Sequence, residues 1–305
     1  MLSILIPIYN YNVYPLVQEL HKQCLECGII FEILCQDDAS NSPLNQINEA
    51  VNSLTNSSFV ALKKNIAHRK NRNSLAAKAK YDYLLFIDGD SIIISPHYIQ
   101  TYISNLCNFE VIYGGRIHPK KCPSKNQKLR WKYGRFIEDK TAINRSKKPY
   151  QSILFNNTII KKSCFDKVKF DSDLKKYGHD DTQLSYQLSL LKISVLHIDN
   201  PIKHGAIDTN LEYIIKTKES LENLLLLYDD QKIDRDFVRL IKLYVFIEKT
   251  KVKFIITKTY SVFSKFILKN LIGENPNLLV FNIFRIGYLC SISSKKQGSI
   301  GVRNE

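Results

Sequence analysis

Nowhere does the chain run through eighteen consecutive apolar residues. Lysines at 249, 251, 253, 258, 265 and 269 interrupt its most apolar C-terminal stretch. A membrane-spanning helix is therefore not expected. The seven cysteines form no regular framework, and Cys24 and Cys27 are a lone Cys-x-x-Cys pair. Zinc would need a second pair or histidines at matching spacing, so these read as free or buried thiols. The N-terminus enters a strand pattern with no basic region or cleavage site before it. A cytoplasmic, reducing setting is the expectation. Neither Gly-x-Gly-x-x-Gly nor Gly-x-x-x-x-Gly-Lys-Ser/Thr occurs. That argues against a dinucleotide-binding enzyme and a P-loop NTPase. Acids are scarce beside bases, with 29 Asp and Glu against 44 Lys and Arg, a net charge of +15. Such a balance favours anionic partners. No helix-turn-helix, zinc-finger or RNP-like pattern accompanies the charge, so no nucleic-acid partner is expected.

What is present suits a globular chain: 305 residues, 44% of them hydrophobic. That length fits one large domain, or a domain with an appendage. The organising stretch is Tyr83-Leu84-Leu85-Phe86-Ile87-Asp88-Gly89-Asp90. Its apolar run predicts a buried strand. If the strand's alternation carried on, Asp88 and Asp90 would point the same way. Ligands bind at that edge of open α/β sheets, and paired hard oxygens suit Mg²⁺ or Mn²⁺. A polar Asp-Gly turn is the alternative reading.

Strands are predicted at Leu2–Tyr9, Ile30–Gln36, Phe59–Leu62, Glu110–Tyr113, Ser152–Ile160 and Ile193–Ile198. Between them fall helical patterns at Val13–Cys27, Pro43–Leu54, His68–Lys80, His97–Cys107, Lys161–Val168 and from Asp180 to about Leu191. Strands alternating with helices imply an α/β fold with a mostly parallel sheet. The pattern breaks from Arg116 to Lys148, where twelve Lys and Arg face two acids, Glu138 and Asp139, around the only tryptophan, Trp131. Loops of that length are functional or disordered. From Asn210 on, the chain reads as helices near 210–228, 232–249, 251–271 and 277–291. Residues 231–305 carry fourteen Lys and Arg against five acids. Basic amphipathic helices of this kind either lie on an anionic membrane surface or pack on the body or a second subunit.

Five segments, in order, resemble family 2 glycosyltransferases. They are Ser3–Asn10, Glu32–Ser40 with its Asp37-Asp38 turn, Asn65–Asn73, Phe86–Asp90 as an Asp-x-Asp motif, and Gly178–Asp181 at a late helix start. The resemblance covers about residues 1–205. It implies the GT-A fold, with a catalytic domain over 1–208, an acceptor loop over 116–149 and a helical, basic region over 209–305. It also implies an inverting, metal-dependent transfer of a sugar from a nucleotide donor, a UDP-sugar first among the candidates, to a glycan or lipid-linked acceptor. By position, Pro7, Tyr9, Asp38, Arg72 and Asp88 would contact the donor. Asp90, with Asp88 and His204, would hold Mn²⁺ or Mg²⁺. Asp181 would be the general base, ionised at pH 7, with Asp180, Asn157 and Trp131 on the acceptor side. Cell-surface polysaccharide synthesis at the inner face of a membrane, with a homodimer as one option, follows by analogy.

The chain departs from the family at Ala39 and Ala67, where glycine is usual, and at Asp180, where glutamate is usual. A catalytically idle nucleotide-sugar-binding scaffold and a nucleotidyltransferase are the rival readings. The first would tolerate loss of Asp90 or Asp181. The second would release pyrophosphate and carry a glycine-rich basic N-terminal loop, which is missing.

Overall fold

A computed structural model of the chain describes residues 1–106, 108–174 and 176–301, the stretch 295–301 by its backbone alone. The predicted helix end at Cys107 lies outside the described residues. Among the described residues ten strands are present: β1 (Leu2–Ile8), β2 (Phe31–Asp37), β3 (Ser57–Ala61), β4 (Tyr83–Ile87), β5 (Ser91–Ile93), β6 (Val111–Tyr113), β7 (Arg116–Ile117), β8 (Asn157–Lys161), β9 (Val195–His197) and β10 (Ile202–His204). The α-helices are α1 (Tyr14–Glu26), α2 (Leu44–Asn48), α3 (His68–Lys78), α4 (Tyr98–Ile103), α5 (Lys128–Tyr133), α6 (Ala142–Ser146), α7 (Lys162–Val168), α8 (Asp180–Leu190), α9 (Asn210–Asp229), α10 (Arg239–Lys249), α11 (Lys253–Ile272) and α12 (Leu278–Gly301).

The chain forms two units. The first holds Met1–His118, Glu138–Asp173 and Asp180–Ala206; the second holds Pro119–Ile137, Leu174–His179 and Ile207–Glu305. All ten strands lie in the first. Seven of them make one sheet in the order β3-β2-β1-β4-β8-β6-β9. β1 pairs in parallel with both β2 and β4, so its residues are buried on both faces, which explains its unbroken apolar run. Only β8 runs antiparallel, between β4 and β6. One apolar layer under the sheet includes Ile4, Ile6, Val17, Leu20, Ile33 and Leu85. The opposite layer includes Leu5, Leu84, Phe86, Phe155, Phe165 and Leu184. Alternate residues of β1 and β4 feed opposite layers, as the pleat requires.

A second, three-stranded sheet has the order β5-β10-β7. The sequence reading missed it, because strands of two or three residues are shorter than any periodicity. The stretch read as a loop is folded: it holds β7, a 3₁₀ turn at Lys125–Gln127, α5, a π turn at Gly134–Glu138 and α6. Most of it, Pro119–Ile137, belongs to the second unit. The predicted strand from Ser152 starts only at Asn157, after a 3₁₀ turn at Tyr150–Ser152.

The second unit is helical. Its core joins Leu129 of α5, Ile214 of α9, Leu271 of α11 and Phe281 and Phe284 of α12. α9 opens with a capping box, Thr209 and Glu212 each satisfying the other's backbone amide. Asn210 fastens α5 by accepting the Leu129 amide at 2.8 Å. Among the described residues no helix is long and apolar enough to cross a membrane.

Candidate active site

The site forms where β1, β2 and β4 end. Asp37 is fully buried and caps the following turn, accepting from the Ser40 amide at 2.9 Å and the Ser40 hydroxyl at 2.7 Å. Its neighbour Asp38 accepts from the Ile66 amide at 2.7 Å, while its carbonyl accepts from the Asn65 side chain at 2.8 Å. Asp38 thus ties the segment before α3 to the end of β2. Pro7 is buried in β1, and Tyr9 just past it is 65% exposed. Ala67 stands immediately before α3 with φ 70 and ψ 151. Glycine adopts that conformation without a steric penalty and alanine does not. Ala39 likewise has φ 54.

From α3 the buried Arg72 reaches across the site. Its Nη2 donates to Asp88 Oδ1 at 2.6 Å and its Nη1 to Asp181 Oδ1 at 3.2 Å, with Asp180 Oδ2 at 3.8 Å. Arg69 Nη2 lies 3.8 Å from Asp180 Oδ1, and the two nitrogens of His68 lie 3.9 Å from Asp88 and Asp180. One helix therefore supplies the two guanidinium cations, and a neutral imidazole whose desolvation pushes its pKa down to about 4, that gather three carboxylates from distant parts of the chain.

Burial pushes the Asp181 carboxyl up and Asp180 pushes it further, to about 7, against the pull of Arg72. This corrects the expectation of a fully ionised base at pH 7. An unperturbed aspartate titrates near 4, and only the folded surroundings move it. Asp88 goes the other way: burial alone would raise it, but the Arg72 charge and hydrogen bond hold it below its ordinary value.

The strand alternation that suggested Asp88 and Asp90 act together does not apply, since β4 stops at Ile87. A turn places them instead, with the Ser91 amide donating to the Asp88 carbonyl at 3.0 Å. Burial and then the Asp88 charge raise Asp90 to about 6. The small sheet brings β10 alongside, and His204 Nδ1 lies 3.5 Å from Asp90 Oδ2. Gly205 makes that approach possible, because a Cβ there would lie 2.4 Å from the Asp90 carbonyl oxygen. Tyr11 also borders Asp90, and burial and that charge raise its phenol. Asp88 and Asp90 offer hard carboxylate oxygens and His204 an imidazole, donor types that suit a hard divalent ion. The Asp88–Asp90 repulsion that lifts Asp90 is the strain a cation would relieve. No group of three His, Cys, Asp or Glu side chains among the described residues closes on a single point. Any ion here would complete its coordination with phosphate or water oxygens.

Two candidates from the sequence are engaged in structural contacts. Asn157, expected on the acceptor side, is 0% exposed and saturated. It donates to the carbonyls of Gly115 at 2.7 Å and Asn200 at 2.9 Å, and accepts from Tyr98 at 2.6 Å and Tyr102 at 2.7 Å. It joins sheet strands and has no unpartnered side-chain atom. Trp131 belongs to the second unit, where its Nε1 donates to the Pro119 carbonyl at 2.8 Å and its ring meets Phe136 edge-on.

Residues the motifs did not mark also border the site. His118, buried just past β7, pairs with Asp139 at 2.7 Å, and its ring stacks on His204 at 5.7 Å. Arg116 pairs with Glu138 at 2.6 Å. The reversed charge of Glu138 and Asp139 inside a basic stretch was the only available sign.

Residues 3–168 match the profile of glycosyl transferase family 2, more than half the chain, and the chain belongs to that family. Its fold is GT-A, shared with solved glycosyltransferases. TarS of S. aureus aligns at 17% identity with a TM-score of 0.51, over 73% of this chain and 39% of that one. A 1–349 form of TarS in complex with UDP-GlcNAc aligns at 16% identity and 0.51, over 97% and 92%. The mannosyltransferase PcManGT of Pyrobaculum calidifontis, in complex with GDP-Man and Mn²⁺, aligns at 13% and 0.54, over 79% and 68%. The chain thus spans about two fifths of the full TarS chain. No curated protein matches this sequence.

Proposed function

We propose that the protein transfers a sugar, with inversion, from a nucleotide-sugar donor to a glycan or lipid-linked acceptor in cell-surface polysaccharide synthesis. The observation that carries this is the Arg72 bridge from Asp88 to Asp181, which sets a carboxyl titrating near neutrality beside the Asp88–Asp90 pair. A UDP-sugar is the first donor to try, since the TarS relative was solved with UDP-GlcNAc; GDP-mannose is the second, from PcManGT. Pro7, Tyr9 and Asp38 would line the nucleoside, with Asp38 offering the base its remaining oxygen.

In the reaction, Asp181 takes the proton of the attacking hydroxyl. A general base works best with a pKa near the working pH. Asp180, at the N-terminus of α8, holds Arg69 and Arg72 in place. Arg72 exchanges carboxylate for phosphate as negative charge builds on the departing diphosphate. Asp90, Asp88 and His204 would hold Mn²⁺ or Mg²⁺, and a divalent ion there supplies electrostatic stabilisation of that leaving group. The basic helical region would keep the enzyme on the inner face of a membrane.

Thermal shift with UDP-, GDP-, dTDP- and CMP-sugars, with and without Mn²⁺, tests the reading. A ligand that binds only the folded protein raises the melting point. A metal-dependent rise with one nucleotide supports it. A rise without transfer favours the idle scaffold, no rise with any nucleotide overturns the reading, and pyrophosphate release favours the nucleotidyltransferase.

A further inference from the structure

α11 presents two different faces. Its inner face, with Tyr260, Ile267, Leu268 and Leu271, packs on Phe281 and Phe284 of α12. Gly287 lets the helices touch, because a Cβ there would lie 2.5 Å from Tyr260 Cδ2. The outer face is also apolar: Ile255 is 63%, Val262 64% and Phe266 71% exposed. Spaced seven and four residues apart, these three fall along one line of the helix. Phe254 and Phe263 widen the ridge. Lys258, Lys265 and Lys269 run along one flank, and α11 contains no acid. Among the described residues none of these three lysines is in an ion pair.

Soluble proteins rarely leave so continuous an apolar ridge in water. Four lysines in twenty residues stop this helix from spanning a bilayer. An apolar ridge with a cationic flank is the composition of a helix that lies in the membrane interface. Long lysine stems let the ammonium groups stay at the headgroups while the ridge sinks below them.

We propose that the outer face of α11 docks the protein on an anionic lipid surface, with Ile255, Val262 and Phe266 entering the acyl boundary and Lys258, Lys265 and Lys269 at phosphate level. A second copy fits this face poorly. A symmetric contact would set α11 against α11, bringing lysines towards lysines with no acid on either helix. The surface carries the membrane part of the reading above. Vesicle binding needs neither donor nor metal, so either half can fail without the other.

The test is co-sedimentation of the full chain with vesicles of phosphatidylcholine alone, or mixed two to one with phosphatidylglycerol. Binding is expected only to the mixture, and weaker at high salt. Lys258→Gln, Lys265→Gln and Lys269→Gln together should lower partitioning by about 10²-fold, as each charge near an anionic surface counts roughly fivefold. Val262→Ser with Phe266→Ser should lower it at every salt concentration. Both sites are exposed, so unfolding curves should match the parent. Parent protein that ignores anionic vesicles, or variants that bind as well as the parent, would overturn the proposal. So would a dimer by light scattering that Val262→Ser with Phe266→Ser splits into monomers.

Discussion

Replacing Asp181 with asparagine should remove transfer and make the protein more stable. Burial and Asp180 raise the Asp181 carboxyl from 3.8 to about 7 in the folded chain. A shift of about three units at roughly 1.36 kcal/mol each puts a ceiling of about 4 kcal/mol on the cost of ionising it there. The pull of Arg72, which contacts Asp181 at 3.2 Å and Asp88 at 2.6 Å, is already contained in that shift, and relaxation of the site lowers the figure further. A net gain of about 2 kcal/mol, or ~3–6 °C in melting point, is expected. The pH dependence is specific. Below about pH 4 the group is protonated in both folded and unfolded chains, so the ionisation cost is absent. As pH rises from 4 to 7 the unfolded chain loses the proton first and the parent protein loses stability. The asparagine variant has no such group, so its advantage should grow through that window and level off above pH 7. Paired melting curves from pH 5 to 8.5 read the difference, and nucleoside diphosphate release reads turnover. A variant equally stable relative to the parent at every pH, or one that still transfers sugar, would refute the reasoning.

Ala67→Gly should stabilise by about 1 kcal/mol in urea without changing turnover, because it relieves the positive φ before α3. Asp90→Asn should abolish any Mn²⁺-dependent rise in melting point. In the parent that rise should fade below about pH 6, where Asp90 gains its proton and ceases to be a ligand. Asn157→Ala leaves the Tyr98 hydroxyl and the Asn200 carbonyl without their partner, while Tyr102 keeps the residue 157 carbonyl and the Gly115 carbonyl keeps the Ile202 amide, so a loss of about 2–4 kcal/mol is expected. Acceptor KM of the folded fraction should not move, and a large change there would return Asn157 to the acceptor side.

What the sequence made legible depended on length and local chemistry. β1, β2 and β4 are buried on both faces, so their apolar runs speak for themselves. The Asp88 and Asp180 motifs stand at element ends, where carboxylates are conspicuous. The direction of β8 was not legible, since an apolar run looks the same read either way along a sheet. The bridge from Arg72 to Asp181 spans 109 residues and leaves no spacing to detect. The raised Asp181 carboxyl was equally hidden, because desolvation belongs to the fold and not to the residue. Asn157 misled for the opposite reason: a polar residue opening an apolar strand looks like a site, whereas here it closes the hydrogen bonding of a dry interior.

The pairs Arg116–Glu138 and His118–Asp139 have a consequence for how such an enzyme can change. They pin together the two points where the chain leaves and rejoins the first unit around Pro119–Ile137. Once its ends are fixed, an excursion can lengthen at small entropic cost, since closure depends only on the logarithm of length. The clasp therefore works like a socket. Inserts that keep Leu129 in the helical core could be exchanged between His118 and Glu138 over evolutionary time, or by grafting, while the carboxylates of the first unit keep their positions.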